Sequence, residues 1–589
     1  MKLHAAIARW LEKYDLLLYG ALFLAVLLLR LSTLQAAPLN EKEAAEAWGA
    51  WRLLRGGAPG SSALYAAFTA CLFFLGGPVD WLARLLPALA GSALVFLPLV
   101  LRPSRGKLEA ALLALLIAFS PAVTAISAQA GGAACGVLAA ALWIFHSRNA
   151  RKDASPSAHN LVGGLLLGLT LASGPVGWSG IAIALLCLAA DWLIRQRRTG
   201  TGNLVPDPWR ASLAEQIQSG SGLAGLSLGL VLGGTGMLFF PRAIGALATG
   251  MTDWLGAFFS GLPPVGETIL LLTAYEPIAL VFGVAGIILA VRSVPDVEDR
   301  FLLTFAAVAA VWALLRPAAF PEETIWILLP LLLFAARALR RVLEASDSEF
   351  RPQIIPVQMI IVLILMLFAV FSLAQYAALG GLWRPALALL AFVASLIAGP
   401  LFIEKWASAW RESLVGFAFA WFILLLIVQA GAGINLAQSR RASANELWWP
   451  QIVPLDLIRL RKTMEDLSNR QTGVADELPV VMQGTQESAL GWALLGYGAA
   501  EFSANTGRVD VAPAVVIAPL TGPEEQPALP QMPADYRGQV FAVGETRAWD
   551  VFPPDLISWW FYREGPVTRE KIILWVRTDL FGASEEAAP

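Results

Sequence analysis

Polar and apolar positions along this chain fall into long blocks. Apolar runs of about 20 residues, the length at which a helix rising ~1.5 Å per residue crosses a bilayer, recur as far as residue 432. They start near Asp15, Trp81, Lys107, Gly132, Asn160, Gly180, Gly222, Ile269, Phe301, Thr324, Ile354, Arg384 and Ser413. The pattern predicts a polytopic α-helical membrane protein with about 13 transmembrane helices. LYAAFTACLFFLGG, from Leu64, has only about 14 residues and reads as an interfacial or re-entrant helix. The first apolar run precedes LQAAP at Leu34; its length and the spans that follow make it a signal anchor, not a cleaved leader.

From about Gly433 the periodicity changes. A helix is predicted in ANELWWPQIVPLDLIRLRKTMEDLSNR from Ala444, strands at PVVMQ (Pro479), AVVIAP (Ala514) and KIILWVR (Lys571), and helices at ESALGWALLGYGA (Glu487) and PDLISWWFYREG (Pro554). Residues 433–589 therefore read as a small α/β domain following a 1–432 membrane domain. TGPEEQPALPQMPADYRG from Thr521 reads as a loop and GASEEAAP as a disordered end.

Lys and Arg resist translocation, and their placement fixes orientation. With a cytoplasmic N-terminus the inner loops carry RPSRGK (Arg102), HSRNARK (His146), RQRR (Arg195) and ARALRR (Ala336), with smaller clusters near Arg292 and Lys405, and together with the N-terminal segment they hold half of the 42 basic residues. An odd number of spans then sends the C-terminal domain to the extracytoplasmic side of a plasma (inner) membrane.

Composition agrees: 57% hydrophobic against 15% charged, with mean hydropathy +0.64. Cys71, Cys135 and Cys187 lie in apolar segments, so packing and not disulfides must hold the outer domain. His4, His146 and His159 fall on the inner side, which excludes an outer zinc site of His or Cys ligands; carboxylates remain able to hold a divalent ion, although no motif asks for one. No GxxxxGK occurs, and no GxGxxG opens a helix, so nucleotide-driven transport and a nicotinamide cofactor lose support. No nucleic-acid partner is expected.

The first outer loop, residues 35–80 with its juxtamembrane helices, concentrates the chemistry. PLNEKEAAEAWGAWRLLRGG from Pro38, LYAAFTACLFFLGG, and VDWLARLLPALAGSALVFLPLVLR from Val79 together resemble the N-terminal signature of GT-C integral-membrane glycosyltransferases, near the protein O-mannosyltransferases and the aminoarabinose transferase of lipid A. The stretch from Tyr536 to Phe581 resembles the end of members described as flippase-activity-associated. The resemblance implies a GT-C-like fold and an outer-face transfer of a sugar, with inversion, from a polyprenyl-phosphate carrier to a protein, glycan or lipid acceptor. A carboxylate within about 3 Å of the acceptor hydroxyl takes its proton, and cations stabilise the leaving phosphate.

On that reading Glu41 and Glu43 are the catalytic candidates, and Arg52, Arg55, Arg84, Glu276 and Arg316 the substrate-binding ones, with Arg242 in a later outer loop. The family pattern of Asp-Glu is not met: aligned on Glu43-Ala44, Lys42 stands where Asp is expected. Asn40 with Glu43 also has the spacing of a capping box, so Glu43 has two open roles, cap and acid. Arg84 either snorkels to the headgroups or binds phosphate. Glu276, in TAYEP, is either a functional acid at membrane depth or hydrated at the interface. Trp48 and Trp51 anchor an amphipathic helix on the bilayer or stack on sugar, and Trp559 to Tyr562 pack on sheet or membrane or stack on sugar. Besides a transferase, a silent scaffold subunit of a membrane complex fits Lys42, and a lipid-linked sugar flippase fits the family label. The flippase reading ranks last because no internal repeat is visible.

Overall fold

In the computed structural model the described residues are 3–148, 155–199, 208–293, 297–346, 354–381, 383–405, 410–497, 500–503, 513–520 and 535–581. Every expected apolar segment is helical. The helices are Leu3–Leu31, Asp80–Ala93 continued through Leu97–Arg105, Lys107–Ala118 with Pro121–Ala128, Ala133–Arg148, Pro156–Ala172, Pro175–Thr199, Gly220–Thr235, Val265–Tyr275 with Pro277–Arg292, Val297–Leu315, Ile325–Ala345, Ile354–Leu379, Trp383–Lys405 and Trp410–Ala437. Among the described residues five helices are long and apolar enough to cross a bilayer, or seven if each of two bent pairs is one span. The expected count of about 13 is not reached by this measure, since several of the other helices are too short to cross unaided.

The two bends have local causes. Ser120 accepts the Val123 N–H at 3.2 Å and Pro121 starts the new helix, giving a 54° bend. Pro277 restarts the chain after Glu276 at 101°. Proline at a first helical position gives up an N–H that has no partner there in any case.

Small residues let two of the shorter helices meet backbone to backbone. In Pro156–Ala172 and Gly220–Thr235, a Cβ on Gly164 or Gly168 would strike Gly222 O or Leu226 O, and one on Gly225 or Gly229 would strike Leu161 O or Leu165 O. Without a hydrophobic drive between helices in lipid, such close approach is what holds them together.

The C-terminal domain is a six-stranded mixed sheet of β1 (Gln451–Ile452), β2 (Val480–Gln483), β3 (Ala500–Ser503), β4 (Val515–Pro519), β5 (Tyr536–Arg547) and β6 (Val567–Arg577), in the order β1-β5-β6-β4-β2-β3. Strand β4 lies parallel to β2 and antiparallel to β6. Its Val515, Val516 and Ile517 are wholly buried, as a near-continuous apolar run requires. The predicted strands at Pro479, Ala514 and Lys571 are present.

Other expectations are corrected. The helix expected from Ala444 begins only at Asp456, because Leu447, Trp448 and Trp449 are buried in the core of the helical body. The helix expected from Glu487 is confined to Ala489–Ala493. Tyr536–Gly538, taken with the loop before it, belongs to β5, which pairs with β6 from Tyr536↔Arg577 to Arg547↔Val567. Most of that loop and the GASEEAAP end lie outside the described residues.

The first-loop helix, Glu41–Leu54, does not rest its apolar face on lipid. Ala44, Ala47 and Ala50 are at 0% exposure, and Trp48 packs edge-on to Trp492 of the C-terminal domain at 5.7 Å. Trp51 meets Phe73 of the helix Ala63–Gly76, and that helix leaves Phe74 and Leu75 exposed near its end. One core therefore joins the loop helix to Leu457, Val480 and Met482.

Candidate active site

The loop helix starts with the capping box its sequence suggests. Asn40 Oδ1 accepts the Glu43 N–H at 2.9 Å and Glu43 Oε2 accepts the Asn40 N–H at 3.1 Å. Glu43 receives four further N–H groups. Arg84 donates from Nε (2.9 Å) and Nη2 (2.8 Å), Ala130 from its backbone (3.0 Å) and Arg441 from Nη2 (2.7 Å). The rest of the Arg84 guanidinium bonds the carbonyls of Leu34, Ala37 and Pro38. Burial alone would raise the Glu43 carboxyl, but Arg84, Arg441 and the Ala130 amide outweigh it and hold it at about 2. A carboxylate has about four lone-pair sites. Those of Glu43 are taken.

One turn on, Glu46 faces a cavity of about 260 Å³ between the loop helix and the turns at Arg316–Thr324. Its Oε1 accepts the Ser61 hydroxyl and, at 3.3 Å, the Ser61 N–H. Its Oε2 is enclosed and has no hydrogen-bond donor among the described residues, as is true of Gln129 Oε1 on the same wall. Burial pushes the Glu46 carboxyl up, more than Ser61 and Lys42 pull it down. The backbone makes the room: Gly49 lets the Pro59–Gly60 turn touch the helix, and a Cβ on Gly60 would lie 2.8 Å from Glu46 Oε2.

The opposite wall carries Arg316 and Glu323, both buried and paired with each other. Ser179 donates to Glu323 at 2.6 Å, and Arg316 reaches Trp254 O at 2.9 Å while lying against the rings of Trp254, Phe258 and Trp312. Burial lifts the Glu323 carboxyl to about 7 against the pull of Arg316. Lys42, its side chain 66% exposed, bonds Glu322 at 2.6 Å across the mouth, and Asp253 completes the polar lining. Among the described residues no group of three or more His, Cys, Asp or Glu is placed to hold a metal ion.

The other sequence candidates are spread out. Glu41 lies toward the C-terminal domain, where Oε2 accepts the Ala489 N–H at 3.1 Å; burial raises its carboxyl. Arg52 pairs with Glu487, and Arg55 lies 4.4 Å over the Trp51 ring. Arg242 bonds Gly56 O. Glu276 is wholly buried at the sharper bend, accepting Ser120 Oγ (2.5 Å), the Ala122 N–H (2.9 Å) and Gln429 Nε2 (3.1 Å). It clamps three helices and does not line the cavity. Trp559 packs on Trp549, and Tyr562 donates to Ala374 O of the helix Ile354–Leu379 at 3.3 Å.

Of the seven candidates, Glu43 and Arg316 touch the cavity. Sequence reading passed over Glu46, Glu323, Asp253 and Arg441. Glu46 carried a usable signal, standing three and four residues from Glu43 and Lys42 on one face of the helix. Arg441, the partner 398 positions from Glu43, carried none.

No family model matches the chain, and no curated protein matches it. Solved structures do. The crystal structure of ArnT from Cupriavidus metallidurans bound to undecaprenyl phosphate aligns over 97% of this chain and 99% of its own, with TM-score 0.53 at 14% identity. Its apo form aligns over 81% and 84%, with TM-score 0.47 at 15% identity. An Archaeoglobus fulgidus oligosaccharyltransferase, in complex with zinc and sulfate, aligns over 82% and 62%, with TM-score 0.37 at 11% identity. The first comparison shows that this chain shares its fold with that ArnT, as the resemblance implied.

Proposed function

We propose that the chain is a membrane glycosyltransferase that moves a sugar from a polyprenyl-phosphate carrier to a protein, glycan or lipid acceptor on the outer face of the plasma (inner) membrane. The observation that carries this reading is the cavity beneath the loop helix. It joins carboxylates able to accept a hydroxyl proton with Lys42 and Arg316, cations able to meet a leaving phosphate. The shared fold of ArnT, whose structure holds undecaprenyl phosphate, supports the choice of carrier. In this reading the chain crosses about 13 times, the N-terminus is cytoplasmic, and the loop helix and C-terminal domain are extracytoplasmic.

On carrier binding Arg316 exchanges its partner Glu323 for the carrier phosphate at the cavity, and Arg84 supports the loop helix through Glu43. Arg52, paired with Glu487 of the C-terminal domain, and Arg55, over the Trp51 ring, meet the outer parts of donor or acceptor. No metal enters the scheme.

A silent scaffold subunit is the second reading, favoured by the saturation of Glu43. Against it stands a cavity that side chains have not filled. Membranes holding the wild type or Ala318→Trp, a change on the cavity wall, would be given radiolabelled undecaprenyl-phosphate sugar and lipid, glycan and protein acceptors. The wild type is expected to transfer label, and the variant to lose roughly 100-fold through misplacement of the reactants. Equal rates from both would exclude the cavity.

A further inference from the structure

We infer that Glu46, which the first-loop signature does not single out, is the residue that takes the acceptor's proton, while Glu43 holds the helix in place. This rests on the transferase reading above. Three observations converge. The oxygens of Glu43 receive five N–H groups, from Asn40, Ala130, Arg441 and twice from Arg84, and have no position left for a sixth. Glu41 faces the C-terminal domain and does not line the cavity. Glu46 lines the cavity with one oxygen fixed by Ser61 and the other unpartnered, enclosed beside Gly60.

An unpartnered acceptor oxygen away from water is costly to keep. Gln129 Oε1 on the same wall is likewise enclosed and without a donor among the described residues, and a small turn of the two side chains toward the cavity would let ligand hydroxyls satisfy both. That pair of acceptors suits a polyol ligand. Basicity agrees with the geometry. A carboxylate held at about 2 is a weak base, whereas burial moves Glu46 upward, toward the operating pH at which a general base works best.

The step balances. The acceptor oxygen attacks the anomeric carbon and its proton passes to the Glu46 carboxylate, turned toward the cavity. The new carbon–oxygen bond forms as the bond from the anomeric carbon to the phosphate oxygen breaks. The electron pair of that bond leaves on the polyprenyl phosphate, opposite Arg316. The proton then returns to solvent on the exposed Lys42 side.

The test uses the purified full-length chain in lipid nanodiscs, with the lipid-linked sugars extracted from its own host grown on radiocarbon-labelled glucose, and the host's lipid, glycan and protein fractions as acceptors. Glu46→Gln is expected to lower the transfer rate by roughly 10²–10⁴-fold while its Tm stays level or rises, since a buried charge is removed without orphaning a cation. Glu46→Asp is expected to restore part of the rate and to move the acid limb of the pH profile. In the wild type that limb is expected above the ordinary carboxylate value of 4.5, the rate falling as pH falls and the base is protonated. Three results would overturn the assignment: full activity in Glu46→Gln, a Tm that drops in step with activity, or loss confined to Glu323→Gln. In these cases wild-type transfer persists and the transferase reading stands. If the wild type transfers nothing from that complete donor pool, both fall.

Discussion

Two glutamates one helical turn apart have opposite environments, and substitution should separate them. Glu43 neutralises one of two buried arginines and satisfies the other's donors, so Glu43→Gln leaves Arg84 and Arg441 under-compensated. Breaking a buried pair from one side costs about 3–5 kcal/mol, and thermal unfolding in detergent should show that loss. The same group gives a pH signature. Its folded value of about 2 lies below the ordinary 4.5, so its contribution, about 3 kcal/mol by linkage, is complete above pH 4.5 and lost as pH falls toward 2. Unfolding followed over that window should flatten in the Gln variant. The capping box was legible in Asn40 and Glu43 because it is local. The two arginines were not, since one stands 41 and the other 398 positions away and either reads as an ordinary membrane-edge cation.

Between elements, glycine decides what can touch. The helices Pro156–Ala172 and Gly220–Thr235 meet where carbonyls occupy the space a Cβ would need. Gly225→Leu should therefore push them apart at a cost above the ~1–3 kcal/mol of ordinary overpacking, measured as a lowered Tm, whereas Gly220→Ala, with nothing within 4 Å, should be silent. The helical segments were readable because length and apolarity suffice. Strand β5 was not, for only two of its twelve residues are buried and Gly538 and Gly544 interrupt the alternation that marks a half-buried strand. Its partner β6 supplies the ladder that its own pattern does not announce.

At the scale of the whole molecule the C-terminal residues brace the loop helix that lines the cavity. Helix Trp410–Ala437 ends before Arg441 reaches Glu43 and Ala128 O, and Glu446 meets Tyr275 beside the sharper bend. Trp492 covers Trp48 and donates to Asp80 at 2.8 Å. A chain ending at Ala437 should therefore expose the loop helix, and trypsin should cut after Arg52 and Arg55 faster than in the full chain, where Arg52 pairs with Glu487. Equal cutting would show that the loop folds without the tail. The passage from apolar helices to strands was legible in the change of periodicity; the dependence of the first loop on the last quarter of the chain was not, because contacts between distant segments leave no local pattern. The foot that Arg441 sets on Glu43 carries a consequence for biosynthesis. The ribosome must pass codon 441 before the helix bearing Glu43 and Glu46 acquires its second anchor, so nascent chains that stop short of it hold that helix by Arg84 alone.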